Sequence, residues 1–195
     1  MIRFAAVIPV LLVFLALSPF NTSFCEEVKE YTIEQFYENK RIGGGAFSPD
    51  ETKLLIHSNE TDSGEKRQLT LSTAESYFVI DYVPTTGDVL YSADQGGNEN
   101  SHIYLLGNDG NSIDLTPGVE EKAFFAGWSE DKKSFYYGSN KRNPRFFDLY
   151  KMSTADWEST LLYENKDGLS LSGVSRDGTK LALARPITTS ENQLF

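Results

Sequence analysis

Short apolar runs alternate with polar turns along this chain at regular intervals. Four copies of one pattern start with an aromatic or β-branched residue, pass through a polar turn and lead into an apolar run. The lead residues are Phe47, Tyr82, Trp128 and Val174, spaced by 35, 46 and 46 residues (82 − 47, 128 − 82, 174 − 128). Repeats of about 20 to 50 residues are typical of propellers, solenoids and repeat arrays. The repeat is therefore the main structural signal in the sequence.

Each copy predicts a tight turn followed by an inner strand. The turns read SPDET, VPTTGD, SEDKK and SRDGT. Proline fixes φ, while Asp, Asn and Gly tolerate the bends that follow it. The next runs, LLIHSN, VLYSAD, FYYGSN and LALARP, are rich in residues that favour strands buried on both faces.

More strands are predicted behind the second and third copies, at residues 102–106, 112–115, 146–152 and 159–163. Turn, strand, hairpin and strand in repetition is typical of a four-stranded propeller blade. A β-sandwich also alternates strands with turns, but it need not repeat one motif at equal intervals. We therefore predict an all-β chain that forms a partial β-propeller of about three to four blades. The predicted blades lie near residues 46–80, 81–126, 127–172 and 173–195.

The first interval is 11 residues shorter than the others (46 − 35). Residues 60–68 are polar throughout, whereas later copies carry an apolar hairpin strand at this place. One strand with its turn has about this length. Blade one is thus predicted to lack its second strand or to close with a loop.

The N-terminus is predicted to be a secretory signal peptide over residues 1–25. Arg3 precedes an apolar run from Phe4 to Leu17, which is shorter than a bilayer span. Ser23 and Cys25 are small residues at the −3 and −1 positions of a cut before Glu26. The protein is thus expected to be exported to the periplasm or the extracellular space, with no membrane attachment after cleavage. The alternatives are an uncleaved anchor or a lipidated Cys25, which is the chain's single cysteine.

Residues 26–45 are predicted to form a lead-in segment. Thr32 and Gln35 have the spacing of a capping box, which indicates one or two helical turns; an irregular segment is the alternative. The glycines at 43–45 lack the trailing Gly-Lys-Ser/Thr of a phosphate loop, so a flexible connection to blade one is predicted.

Charge and composition exclude some kinds of site. The chain has 28 acidic against 18 Lys and Arg residues, whereas nucleic-acid binding needs a basic face. The oxygen-rich loop 94–100 lacks the distant bidentate Glu of an EF-hand, so neither a metal nor a cofactor is predicted. Ser170 lies in GLSLSG, which departs from the G-x-S-x-G of a nucleophile elbow. His57 and His102 are predicted to be strand-end residues with local hydrogen bonds, and no catalytic residue is predicted.

Two loops are predicted to lie on the same rim of the propeller. Loop 94–100 is acidic and polar, whereas loop 140–145 is basic. The candidates for contact with a substrate or a partner domain are Arg142, Arg145, Asn98 and Glu99. An ion pair between the blades and solvated rim charges are the alternatives.

The order of these motifs resembles a known family. The segments TIEQFYENKRIGGGAFSPDETKLLIHSNET, ESYFVIDYVPTTGDVLYSADQGGNENSHIYL, DLTPG and GWSEDKKSFYYGSNKRNPRFFDLYKM are similar to the N-terminal β-propeller of the prolyl oligopeptidase family of serine peptidases. Secreted bacterial members of the dipeptidyl and acylaminoacyl peptidase type are the nearest match. SPDG-type motifs alone are shared with the Tol-Pal propeller. The resemblance covers residues from about Tyr31 to Phe195.

The resemblance implies that the propeller is a lid over an α/β-hydrolase domain whose Ser, Asp and His hydrolyse short peptides. That domain has no counterpart here, so the chain is expected to be an N-terminal part of a longer peptidase. The family's amine-binding glutamates cannot be assigned, since no motif matches. The alternative is a self-contained propeller that binds a protein or a glycan in the periplasm.

Overall fold

The computed structural model describes residues 32–37, 40–59, 66–70 and 75–195. The chain divides into a unit up to Asn39 and a unit from Lys40 to Phe195, which contains every strand of the described residues. The predicted signal peptide lies outside the described residues, as does most of the 60–68 stretch.

The first unit contains helix α1 (Ile33–Tyr37). The Thr32 N–H donates to Gln35 Oε1 at 2.9 Å, and the Gln35 N–H donates to Thr32 Oγ1 at 3.3 Å. This reciprocal pair is the predicted capping box, and it is confirmed. In the described parts of the chain, no helix combines the length and the apolar character that crossing a bilayer requires.

The second unit is built from short strands. In the described residues they are β1 (Ile42–Phe47), β2 (Leu54–Ser58), β3 (Phe78–Tyr82), β4 (Val89–Ala93), β5 (His102–Leu106), β6 (Ser112–Asp114), β7 (Ala123–Trp128), β8 (Ser134–Ser139), β9 (Asp148–Ser153), β10 (Ser159–Tyr163), β11 (Ser170–Val174), β12 (Leu181–Pro186) and β13 (Asn192–Leu194).

The strands form four sheets in which each strand pairs antiparallel with the next one along the chain. The sheets are β1–β2, β3–β6, β7–β10 and β11–β13, and we call them sheets 1 to 4. The first strands contact one another between sheets 1 and 2, β1 with β3, and between sheets 3 and 4, β7 with β11, while β7 meets sheet 2 at β5. Successive meanders with their first strands innermost form a β-propeller. The predicted all-β, propeller-type fold is confirmed.

The sheets begin one strand earlier than the repeat spacing predicts. Strands β1, β3, β7 and β11 precede the marker turns, whereas the prediction placed the inner strand after each turn. The glycines at 43–45 belong to β1 and are not a separate lead-in. These first strands are hard to recognise, because IGGGAF and SLSGV lack the apolar run that marks a buried strand.

A β-bulge interrupts the first strand of every sheet. In sheet 1 it lies between Gly43 and Ala46. In sheets 2 to 4 it starts at Val79, Phe125 and Leu171, at intervals of 46 residues (125 − 79, 171 − 125). A bulge increases the local twist and bends its strand. The repeat that the turns predict is thus present in the backbone geometry.

The marker turns share one hydrogen-bonding pattern. In sheets 1, 3 and 4 a serine hydroxyl donates to the Asp two residues later, and the serine N–H closes the turn on a carbonyl five residues later. The pairs are Ser48–Asp50, Ser129–Asp131 and Ser175–Asp177, with oxygen–oxygen distances of 2.6, 2.7 and 2.5 Å. In sheet 2 Val83 takes the place of the serine, and a hydroxyl–carboxylate bond of 2.6 Å forms later in the turn, from Thr86 to Asp88. This side-chain lock fixes the turn geometry.

Sheet 2 is buried on both faces. Leu90, Ile103 and Leu105 belong to a core shared with sheet 3, and Val89 and Tyr91 belong to a core shared with sheet 1. Alternate residues of one strand point to opposite faces of the sheet. A strand in a sheet that lies between two others therefore needs apolar residues at consecutive positions. This explains why VLYSAD and HIYLL have near-continuous apolar character.

Polar contacts join the sheets at their seams. The Trp128 indole N–H, on β7, donates to Asp81 Oδ2, on β3, at 2.8 Å. At the next seam, the Arg176 carbonyl of sheet 4 accepts from the Glu130 N–H at 2.9 Å and from the Tyr136 hydroxyl at 3.2 Å. These bonds satisfy polar groups of otherwise apolar interfaces and fix how the sheets meet.

The Ser48–Asp50 hydrogen bond of the first marker turn can be tested with Ser48→Ala. The Ser48 hydroxyl, then the Thr52 hydroxyl and N–H, lower the pKa of Asp50 from its ordinary value of 3.8 to about 2. Because the folded-state pKa is depressed, this stabilisation is present above pH 3.8 and is lost as the pH falls through about 2. We expect Ser48→Ala to raise the pKa of Asp50 towards 3.8. Carboxyl ¹³C NMR titration of the folded chain measures it.

Ser175→Ala is the matched control, since it removes the corresponding hydroxyl from sheet 4. It should leave the Asp50 titration unchanged and shift that of Asp177 instead, whose pKa is lowered chiefly by the Ser175 hydroxyl. An Asp50 pKa that does not move in Ser48→Ala would contradict the proposed lock.

Candidate functional site

A cleft of about 230 Å³ lies beside the basic loop that the sequence singled out. The loop between β8 and β9 forms one side, and the connection from β10 to β11 forms the other. The lining residues are Phe124, Arg145, Phe146, Phe147, Asn165, Gly168, Leu169, Ser170 and Leu171. We call this feature the Arg145 cleft.

Two glycines make room for aromatic walls of the cleft. A Cβ at Gly138 would lie 2.4 Å from Phe124 Cζ, and one at Gly168 would lie 2.8 Å from Phe146 Cε1. Gly168 also has φ of 67°, in the left-handed region that favours glycine. The Phe124 and Phe146 rings therefore rest on backbone that no larger residue could occupy without displacing them.

Asn165 holds the far side of the cleft in place. Its side chain, in a residue only 1% exposed, donates to the carbonyls of Phe147 at 3.1 Å and of Leu169 at 2.6 Å. Its Oδ1 accepts from the Leu169 N–H at 3.1 Å. One amide thus ties both loops together, with its donor and acceptor groups satisfied. The sequence offers no signal for this role.

Arg142 forms an ion pair with a buried carboxylate. Its guanidinium donates to both oxygens of Asp148, at 2.6 and 2.9 Å, and contacts Glu164 at 3.3 Å. Burial raises the pKa of the fully buried Asp148 carboxyl, but Arg142 and the Asn165 N–H outweigh it and hold the pKa below 3.8. Arg142, predicted as a binding candidate, therefore has a structural role in its own sheet.

Arg145 differs from the other cations of its loop. Arg142 is paired, and Lys141 Nζ lies 4.1 Å from the Tyr150 ring centroid and donates to the Tyr137 hydroxyl at 3.2 Å. The Arg145 guanidinium lies 5.9 Å from the Phe146 ring centroid, and no carboxylate of the described residues forms an ion pair with it. Its exposed guanidinium can therefore accept an anionic partner at the cleft.

The acidic loop borders the same end of β7 as the basic loop. The Ser101 carbonyl, just after loop 94–100, accepts from the Ala123 N–H at 2.8 Å. Asn140, the first residue of the basic loop, donates its N–H to the Lys122 carbonyl and accepts the Lys122 N–H on Oδ1. Asn98 Oδ1 caps its own loop, accepting from the N–H groups of Gln95 and Asn100. Asn98 therefore stabilises the turn, and the exposed Glu99 has φ of 59°. Neither residue lines the Arg145 cleft.

The two histidines occupy very different sites. His102 is 1% exposed, with Nδ1 2.7 Å from Asp114 Oδ2 and Nε2 3.1 Å from the Glu121 carbonyl. This is the predicted local hydrogen bonding, although the sequence does not reveal the Asp114 partner, which lies on a neighbouring strand. His57 Nδ1 is buried and, in the described residues, has no hydrogen-bond partner, so the local bond predicted there is absent at this nitrogen.

His102 and Asp148 occupy equivalent positions in sheets 2 and 3. Each is the first residue of its strand and pairs with the last residue of the preceding one, Ala93 or Ser139. In sheet 2 this position holds His102, which faces the Asp114 carboxylate, whereas in sheet 3 it holds Asp148, which faces the Arg142 guanidinium. Within the described residues, no group of three or more potential metal ligands is clustered.

The strand predicted at residues 146–152 begins two residues later in the structure than predicted. Strand β9 starts at Asp148, so Phe146 and Phe147 lie in the loop. The Asn143 N–H donates to the Asn140 carbonyl and the Phe146 N–H donates to the Asn143 carbonyl, and these turns keep the segment out of the sheet. The two phenylalanines become available to the cleft for that reason. Ser170, rejected as a nucleophile from the sequence, lies on β11 and lines the cleft.

Comparisons with known proteins connect the chain to a peptidase and to propellers. It is 36% identical over 106 residues to dipeptidyl aminopeptidase BIII of Pseudoxanthomonas mexicana, a match that covers 52% of this chain and 15% of that protein. No protein-family model matches. The chain therefore spans a small part of the relative's length.

The solved structures that it matches include two TolB proteins. A protein assigned as TolB from Agrobacterium tumefaciens superposes with a TM-score of 0.51 at 25% identity, over 80% of this chain and 57% of that one. TolB from Acinetobacter baumannii gives a TM-score of 0.48 at 20% identity, over 80% and 40%. The Agrobacterium superposition supports the propeller-type fold.

Arg142 and Arg145 should respond differently to the same substitution. Arg142→Gln leaves the buried Asp148 carboxylate without its guanidinium, and we expect a clearly lower free energy of unfolding than that of the wild type. Arg145→Gln is the matched control, with an expected change within about 0.5 kcal/mol. Urea unfolding at pH 7, followed by circular dichroism, measures both.

The difference between Arg142→Gln and the wild type should shrink in acid. The pKa of Asp148 is depressed in the folded protein, so the stabilisation is complete above its ordinary value of 3.8 and is lost as the pH falls below it. Equal stabilities of the two glutamine variants at pH 7 would show that the Arg142–Asp148 pair contributes nothing.

Proposed function

We propose that this chain is the propeller part of an exported serine peptidase, where it limits access to a separate α/β-hydrolase domain that cleaves short peptides. The observation that carries the proposal is the 36% identity over 106 residues to a dipeptidyl aminopeptidase. The propeller-type fold of the second unit supports it, because a propeller encloses an axis that small molecules can enter.

The chemistry of the described residues is consistent with a non-catalytic part. A nucleophilic serine needs a base within hydrogen-bond reach and a strained turn that exposes its oxygen. Ser170 lies within strand β11, and His102 is buried against Asp114 and the Glu121 carbonyl. We therefore assign hydrolysis to the hydrolase domain of the parent protein, with short peptides as the substrates.

Export is part of the same proposal. Support comes from the sequence of residues 1–25, with its single arginine, its apolar stretch and its small residues before Glu26. N-terminal sequencing of the protein recovered from its source cells should give a chain that starts at Glu26. A chain that retains Met1 would contradict cleavage.

The peptidase assignment can be tested on the natural protein. An antibody raised against residues 75–195 should precipitate a protein longer than 195 residues, and a fluorophosphonate probe should label it. The purified 195-residue chain, as the control, should not be labelled. The reading frame beyond codon 195 should encode further repeats, then G-x-S-x-G followed by Asp and His.

An unlabelled precipitated protein, from a reading frame that stops without a hydrolase motif, would contradict the peptidase proposal. That result would favour the alternative, a propeller that binds a protein or a glycan. Labelling of the 195-residue chain itself would contradict the assignment of hydrolysis to another domain.

A further inference from the structure

We propose that the Arg145 cleft binds the C-terminal residue of a peptide, with the terminal carboxylate on Arg145 and an apolar side chain in the cleft. The proposal concerns binding alone, so it holds whether or not a catalytic domain accompanies the chain. It rests on the lining of this site, on its hydrogen-bonded loops and on a guanidinium that no carboxylate of the described part of the chain pairs with.

The lining of the cleft fits one apolar side chain. Phe124, Phe147 and Leu171 provide apolar surface, and the volume is about 230 Å³. Pockets for drug-sized ligands measure about 300 to 1,000 Å³, so this cleft is suited to a single side chain. Phe124 is 40% exposed, so an incoming ring would still bury apolar surface on it.

Arg145 provides the anion-binding group. A guanidinium presents paired N–H donors whose planar geometry matches a carboxylate. In the described residues no carboxylate of the chain forms an ion pair with it, whereas Arg142 already holds Asp148 and Glu164. Ser170 also lines the cleft and adds a hydroxyl donor. Because the chain as a whole is acidic, with a net charge of −10, this local cation is distinctive.

The combination of the two features selects the C-terminal residue of a peptide. In a terminal amino acid the carboxylate and the side chain branch from the same Cα atom, so they lie only a few bonds apart. The cleft likewise places a guanidinium and apolar surface around one small volume. An internal apolar residue would leave Arg145 without a carboxylate, and an inorganic anion would leave the apolar lining uncovered.

The cleft is held open before a ligand arrives. Gly138 and Gly168 leave room for the Phe124 and Phe146 rings, and Asn165 ties the two sides together. The Arg145 N–H donates to Asn143 Oδ1 at 3.0 Å, which anchors the backbone beneath the guanidinium. A rigid site loses little conformational entropy on binding, so even a small ligand can bind measurably.

The test compares two probes that differ only at the C-terminus. N-acetyl-alanyl-phenylalanine and its C-terminal amide are titrated into the purified 195-residue chain, and ¹H–¹⁵N NMR shifts give the two affinities. We expect the free acid to bind about threefold more tightly than the amide, which reflects one exposed, charge-assisted interaction. Shifts should concentrate at Phe124, Gly168 and Ser170.

Variants of Arg145 complete the design. Arg145→Gln should bring the acid down to the affinity of the amide, while Arg145→Lys should retain part of the difference. Arg176→Gln is the matched control, because that exposed arginine lies in the β11–β12 turn, away from the cleft lining. Its acid-to-amide ratio should equal that of the wild type. Thermal melts establish that each variant is folded.

Four outcomes would overturn the proposal, three of them with the wild type. The acid and the amide could bind the wild type equally, the shifts could map outside the cleft, or neither probe could bind at its highest soluble concentration. An unchanged ratio in folded Arg145→Gln would overturn it as well. None of these outcomes bears on fluorophosphonate labelling of the longer parent protein, so the two proposals fail separately.

Discussion

The packing of this fold depends on a central sheet that buries both of its faces. Sheet 2 shares one core with sheet 1 through Val89 and Tyr91, and another with sheet 3 through Leu90 and Ile103. A sheet that is apolar on both sides cannot be stable alone in water, so its neighbours form part of its own stability. The seam bond from Trp128 to Asp81 then selects one way for the sheets to meet.

Local geometry carries the same repeat as the cores. The serine–aspartate turn locks recur in three sheets, and the bulges of the first strands recur at 46-residue intervals. Stacked tyrosines appear at matching places, with ring centroids 5.1 and 5.3 Å apart, each with a hydroxyl that meets a serine of the outermost strand. These pairs are Tyr91–Tyr104 with Ser112, and Tyr137–Tyr150 with Ser159. Agreement between turn chemistry, bulges and packing favours one fold.

The sequence predicts the strands that carry apolar runs and misses those that do not. Strands β5 and β10 have the predicted bounds, because HIYLL and STLLY lie between clear turn signals. Strand β11, SLSGV, is invisible to the same reasoning, since its place in the sheet depends on pairing with β12. The site shows the same limit. The basic loop is evident from the sequence. That Arg142 is paired and Arg145 forms no ion pair with a described carboxylate depends on the position of Asp148, which only the fold provides.

The exchange of charge between equivalent strand starts has a consequence for assembly. Near-identical repeats risk pairing with the wrong neighbour while the chain folds. Here β5 begins with His102 and β9 with Asp148. If β5 took the place of β9, His102 would lie beside Arg142. If β9 took the place of β5, Asp148 would lie opposite Asp114. Either exchange would leave a buried charge without its partner, which is costly. Strands β5 and β9 have the same place in their sheets, but the different charges of their first residues mean that one cannot replace the other.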